Sequence, residues 1–143
     1  MNPDEHVAYA VAAWTRFHAE VSDDLLRALS GAFALVAAAD GELATSEVEA
    51  FVTLLRDQQS VFSNLDFDAL ETNFRELTDA LIANPEDGRL RALDCVAGVR
   101  GDGTKSELVR SAAAIALAAD GRARAPEEAA VREITRVLGL ESA

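Results

Sequence analysis

One phrase occurs twice in this chain, eighty residues apart: Ala38-Ala39-Asp40-Gly41 followed by Glu47, and Ala118-Ala119-Asp120-Gly121 followed by Glu127. Each copy closes an Ala-rich apolar stretch and precedes a second, amphipathic one. The pairing extends outward, matching Ala32 with Ala112, Ala34 with Ala114, Ala50 with Ala130 and Arg56 with Arg136, while Leu35/Ile115, Phe51/Val131 and Leu54/Ile134 stay apolar. This is a duplicated helix-hinge-helix unit, with copies over about 25–57 and 105–139. Two copies are too few for a solenoid. The pair of acidic hinges, related by an internal pseudo-two-fold, is therefore the first candidate for function.

Period and punctuation predict helices throughout. Val7, Ala10, Val11, Trp14, Phe17 and Val21 recur at helical spacing behind Asn2-Pro3-Asp4-Glu5, a cap, a helix-opening proline and two acids suited to the positive helix end. Leu25, Leu26, Leu29, Phe33 and Val36 make a second helix ending near Asp40-Gly41, and Val48, Phe51, Val52, Leu54 and Leu55 a third, with Thr45 read as its cap. Phe67, Leu70, Phe74, Leu77 and Leu81 form a fourth behind Asp66. Leu90, Leu93, Val96 and Val99 form a fifth behind Asn84-Pro85, although Gly88 leaves a start after Asp87 open. Gly101-Asp102-Gly103 closes it, and Thr104 is read as capping the sixth helix, built on Leu108, Val109, Ala112, Ile115, Ala116 and Ala119. The seventh carries Val131, Ile134, Val137 and Leu138, from Pro126 to Gly139. No segment alternates long enough to be a strand, and no heptad seam crosses the hinges. The fold class is all-α: a bundle of seven helices in which the Ala-rich second and sixth cross at the centre and the first, fourth and fifth lie outside.

At 143 residues and 15.2 kDa, half of them hydrophobic, the chain reads as one domain over 1–143 that buries a proper core. The net charge of −12 and pI near 4.4 repel phosphate backbones, disfavouring nucleic acid and anionic membranes and favouring cations or a basic protein partner. The same charge also promotes solubility with no partner at all. Cys95 is a lone cysteine, and the first residues lack the basic start and apolar core of a signal peptide, so a cytoplasmic setting is expected. The longest apolar runs, Ala32 to Ala39 and Ala112 to Ala119, are too short to span a bilayer.

Hard divalent cations take oxygen ligands, and carboxylates held on rigid helix ends lower the ordering cost of binding one. Asp40 at the end of one helix and Glu47 at the start of the next can meet across a tight turn. This is no EF-hand: with Asp40 as position one, Ala44 falls where the fifth-position ligand belongs and Phe51 where the bidentate glutamate belongs. A purely structural reading stands beside the metal one. Glycine after a helix is an ordinary left-handed terminus, the neighbouring aspartate can bond hinge amides, and a glutamate at the second helical position suits the dipole.

Other constellations carry less. His6 and His18, twelve residues apart on one helix, are out of phase and too distant to share an ion. Cys95 sits in an apolar period without a basic cluster, as a small buried residue does. Ser30, Ser46 and Ser106 have no histidine partner, and no nucleophile elbow, P-loop or dinucleotide fingerprint is present. Trp14 and Phe17 read as core.

The phrase Ala-Ala-Asp-Gly-Glu-Leu, a helix-opening glutamate, and the echo through Pro126-Glu127-Glu128 to Val137-Leu138-Gly139-Leu140 resemble the tellurite-resistance TerB-like family. The N-terminal domain of the DnaJ-like co-chaperone DjlA is related to it. The resemblance is sharpest over Leu29 to Leu55 and Val109 to Leu140. It implies an all-α bundle with internal two-fold repetition, a place in bacterial stress and tellurite-resistance systems, and metal binding at the acidic hinges. The metal positions it implies are Asp40, Glu42 and Glu47 in the first hinge and Asp120 and Glu127 in the second, for a divalent cation such as calcium, magnesium or manganese.

The leading expectation is a non-enzymatic, TerB-like metal-binding module. The alternative is a co-chaperone-like or scaffold domain whose acidic surface meets a basic protein and whose hinges are structural. A hydrolase with a metal-bound water is a third reading for which no substrate pocket is apparent. The two hinges are not equivalent: Arg122, with Arg124 nearby, stands where the first copy has Glu42, and Ala125 stands where it has Thr45. The first hinge is thus expected to carry the more negative potential.

Overall fold

A computed structural model of the chain describes residues 3–16, 21–39, 43–60, 62, 65–120 and 125–140; at Pro3, Asp4, His6, Val7, Thr15, Arg16, Ala119, Asp120, Ala125 and Glu127 it describes the backbone alone. Among these residues the chain forms seven helices and no strand: α1 (Pro3–Arg16), α2 (Asp23–Ala37), α3 (Thr45–Asp57), α4 (Phe67–Ala83), α5 (Pro85–Ala97), α6 (Gly103–Asp120) and α7 (Ala125–Val137). The duplication is written into their boundaries. α2 and α6 begin eighty residues apart, and α3 and α7 both begin and end eighty apart.

α2 is buried around its circumference: Leu25 and every residue from Ala28 to Val36 are inside. A helix apolar on all sides has to be surrounded. α2 packs against α3, α4, α5, α6 and α7, most extensively against α5. α6 packs on α2, α3 and α7 and is covered by α1, whose Trp14 donates its indole N–H to the Leu108 carbonyl at 3.1 Å. The second helix of each copy also packs on the first helix of the other, α3 on α6 and α7 on α2. The central pair is therefore dressed unequally, α2 by the α4–α5 hairpin and α6 by α1.

A chain of aromatic rings ties these elements together. Trp14 meets Phe62 edge-on at 4.9 Å, and Phe62 lies 6.4 Å from Phe33 of α2. Phe33 lies 6.3 Å from Phe51 of α3, which stacks on Phe74 of α4 at 5.4 Å. Each such pair adds about 0.5–1.5 kcal/mol beyond the area it buries. Phe62, in the connection between α3 and α4, is 1% exposed and anchors its ring in the core.

Two caps differ from the sequence expectation. α3 is entered through Ala44, whose extended backbone makes it the N-cap, and Thr45 is the first helical residue with no capping role. α6 is entered through Asp102, whose carboxylate accepts from the Lys105 amide at 3.1 Å, leaving Thr104 inside the helix. Asp66 caps α4 and Asn84 caps α5, accepting from the amides of Ala69 at 3.1 Å and Asp87 at 3.2 Å. α5 therefore begins at Pro85 and keeps Gly88 inside, one residue separating it from α4. α7 starts at Ala125, one residue before Pro126, and ends in a Schellman turn: Gly139 at φ +76 bonds Arg136, and Leu140 reaches back to Thr135. The described part of α1 runs to Arg16; the continuation of its helical period over 17–20, with Phe17, lies outside the described residues, and Val21 belongs to no helix.

The buried face of α5 also differs. It is Gly88, Ala92 and Val96, whereas Leu90, one of the apolar positions whose period marked the helix, is 60% exposed. The reason is proximity. A Cβ on Gly31 of α2 would stand 2.6 Å from the Ala92 carbonyl oxygen, and one on Gly88 would stand 2.6 Å from the Leu81 backbone. Helices this close admit only small residues between them, which turns the larger apolar side chains outward.

Gly31→Ala is accordingly expected to destabilise the protein by about 1–3 kcal/mol in urea unfolding, although alanine is the better helix former. Gly103→Ala, where an added Cβ meets nothing within 4 Å, should instead stabilise slightly. Ser111, the counterpart of Gly31 in the second copy, has a buried hydroxyl without a partner among the described residues. Ser106 donates its hydroxyl to the Val99 carbonyl at 3.0 Å. Ser111→Ala should leave the unfolding midpoint unchanged or raised, and Ser106→Ala should lower it by about 1–3 kcal/mol in stability.

Candidate functional site

The helices that follow the two hinges begin alike, while α6 runs three residues further than α2 before its hinge. At the first hinge, α2 ends at Ala37 with Ala38 as its cap, and the chain re-enters at Leu43 and Ala44 before α3. Glu47 is the third residue of α3, half-buried, with its amide donating to the Ala44 carbonyl at 2.9 Å. Glu127 holds the same place, third in α7, one residue later than the sequence expectation for both. A carboxylate in a first helical turn is favoured by the helix dipole. Asp120 is the last residue of α6. Asp40 and Glu42, together with Arg122 and Arg124, lie outside the described residues, and Asp120 and Glu127 are described by their backbone alone. Among the described residues no group of three or more His, Cys, Asp or Glu side chains is placed to hold a metal ion.

Folding brings the flanks of the two hinges together. Ala38, Ala39 and Leu43 beside the first, and Pro126, Ala129 and Ala130 beyond the second, line one cleft of about 730 Å³. The meeting follows from α7 packing on α2, the reciprocal contact of the two copies. The five acidic positions offer only oxygen donors, the chemistry of a hard divalent cation, which takes six to eight of them from protein and water in the case of calcium. That donor set fits such an ion. The starts of α2 and α6 meet as well: Lys105 Nζ lies 3.1 Å from both carboxylate oxygens of Asp24. The Ser22 hydroxyl, and then Lys105, hold that carboxyl below its ordinary pKa.

Sequence reasoning did not reveal two sets of charges. The first is a ladder joining α3 to α4. Arg75 pairs with Glu49 at 2.6 Å and Glu71 at 3.0 Å, and Arg56 pairs with Glu71 at 2.9 Å and Asp68 at 3.0 Å. The second is a group of arginines, Arg89, Arg132 and Arg136, on the cleft. The four-residue spacing of Arg132 and Arg136 was visible as a shared helical face, but the place of that face in the fold was not. Cys95 is half-buried, and burial followed by the charge of Asp94 raises its thiol pKa, so it is not poised as a nucleophile.

The chain belongs to the TerB family: the family model of the tellurite resistance protein TerB matches residues 26–143. That span takes in both hinges and leaves α1 before it. No curated protein and no solved structure matches the chain. Family and fold together define a tellurite-resistance-associated helical module. Among the described residues no helix is long and apolar enough to cross a membrane.

The ladder has a pH signature. Its hydrogen bonds hold Glu49 (from Arg75) and Glu71 (from Arg56, then Arg75) below the ordinary glutamate pKa. A carboxyl lowered on folding contributes in full above its unfolded value of about 4.3, and the contribution is lost as pH falls through the lower folded value. Glu71→Gln should therefore lower the urea midpoint at pH 7 by a modest amount, and the gap to wild type should close below about pH 4 and shrink in 1 M salt. A gap persisting under both conditions would assign Glu71 a packing role instead.

Proposed function

We propose that this protein is a non-enzymatic module of a bacterial stress and tellurite-resistance response, cytoplasmic, that holds one divalent cation, calcium, magnesium or manganese, at its acidic hinges. Asp40, Glu42 and Glu47 supply oxygen ligands, and Asp120 and Glu127 supply a second or shared set. The observation that carries this reading is that the described flanks of both hinges, Ala38, Ala39 and Leu43 with Pro126, Ala129 and Ala130, line a single cleft. Membership of the TerB family and a net charge of −12 support it. The first hinge is the stronger candidate, because Arg122 replaces Glu42 in the second and competes with a cation for Asp120. Thr45 adds nothing to that asymmetry, since it and Ala125 both occupy the first helical position.

Isothermal titration with calcium, magnesium, manganese and zinc tests the proposal. Wild type should bind one hard cation, Asp40→Ala and Glu47→Ala should lose at least tenfold in affinity, Asp120→Ala should lose less, and Arg122→Glu should gain affinity or a site. Equal binding by wild type, Asp40→Ala and Glu47→Ala sinks it. Two equivalent sites would contradict the asymmetry, and would mean that the surrounding fold rather than local charge selects the position.

A further inference from the structure

Among the described residues, the lining of the cleft beside the hinge flanks is richer in arginine than in carboxylate. Leu35 and Leu81 are buried on it, Ile82 is 45% exposed, and Ala38, Ala39, Ala129 and Ala130 extend the apolar surface. Three arginines, Arg89, Arg132 and Arg136, share its lining with one described carboxylate, Glu133, which is paired with Arg89 across α5 and α7. Among the described residues Arg132 takes part in no ion pair and is exposed. A protein with twelve excess negative charges thus presents, among the described residues of one apolar cleft, more positive than negative groups.

Each class of occupant meets these features differently. A cation meets, in the described lining, a single carboxylate that is already paired with Arg89. A neutral apolar molecule uses the floor but gains nothing from the guanidinium groups. A large acidic macromolecule is opposed by the field of the whole chain, which acts on its full surface. A small molecule with an apolar body and a single anionic head escapes that opposition and satisfies both parts of the lining. Guanidinium groups bind a carboxylate through paired, charge-assisted hydrogen bonds, and the volume of about 730 Å³ lies in the range of small-molecule sites. We propose that the cleft binds a small amphipathic organic anion, with its apolar body on Leu35, Leu81 and Ile82 and its carboxylate on Arg132 and Arg136. It draws on the same cleft as the metal reading but uses none of the five acidic hinge positions, so either can fail without the other.

The test is an NMR titration of the full, metal-free chain, labelled with nitrogen-15, using octanoate below its micelle concentration, with octanol and octylammonium as neutral and cationic counterparts. Octanoate should give saturable shifts at the amides of Leu35, Ile82 and Ala130. The two counterparts should bind at least tenfold more weakly. Arg132→Gln, and more so Arg132→Gln with Arg136→Gln, should weaken octanoate about tenfold or more while leaving octanol unchanged; circular dichroism confirms that the variants stay folded. Octanol binding as tightly as octanoate overturns the proposal, as does octanoate binding unaffected by both substitutions. Absence of any saturable shift overturns it too, and means that the chain's own acids satisfy the arginines.

Discussion

The whole structure depends on the encirclement of α2. A helix buried from Ala28 to Val36 without a polar face cannot exist until its neighbours are in place, so the elements that cover it fold as a unit with it. Its contact with α5 is the tightest constraint, because Gly31 lets the Ala92 carbonyl approach where any side chain would collide. That approach dictates the small residues on the buried face of α5. The α5 position, with Gly88 against the Leu81 backbone, sets how α4 returns beside it, and α4 in turn receives α3 through the stacked pair Phe51 and Phe74.

Magnitudes separate what holds this arrangement from what trims it. Truncating a buried phenylalanine such as Phe33 typically removes about 3–5 kcal/mol, whereas an exposed ion pair contributes about 0–1 kcal/mol. The aromatic chain from Trp14 to Phe74 therefore outweighs the surface ion pairs in tying α1, α3 and α4 to the core. The ladder of Arg56 and Arg75 with their acids sets the rotation of α3 against α4 on a contact the core has already made. The first helices of the two copies are linked at their starts by Lys105 and Asp24, and the copies are closed at the other end by α7 lying on α2. The duplication accordingly places the described flanks of both hinges on one cleft.

Legibility in the sequence tracked how local each feature is. Asp66 and Asn84 were readable as caps because an N-cap needs only its own side chain and an amide three residues on. Thr45 and Thr104 were misread because a neighbour, Ala44 by backbone geometry and Asp102 by its carboxylate, took the position one or two residues earlier. Leu90 is exposed despite its period for a different reason: hydrophobic period assumes that the buried face is the most apolar one, and close packing reverses this by placing glycine and alanine inside. The arginines of the cleft lay in plain view on α5 and α7, yet nothing local marks two helices as walls of one cavity.

What the sequence by itself determined is the set of units: seven helices with no strand among the described residues, their duplication at a spacing of eighty, the TerB family and the identity of the acidic hinges. Each of these is carried by periodicity, capping or repetition within one stretch of chain. What only the tertiary structure decided is how the units meet: which face of α5 is buried, that α3 and α7 each cross to the other copy, and that the described flanks of both hinges line a single apolar cleft with arginines on it. Those outcomes rest on distances between residues far apart in sequence. They arise from fitting surfaces to one another, a property that no segment possesses until its partner is beside it.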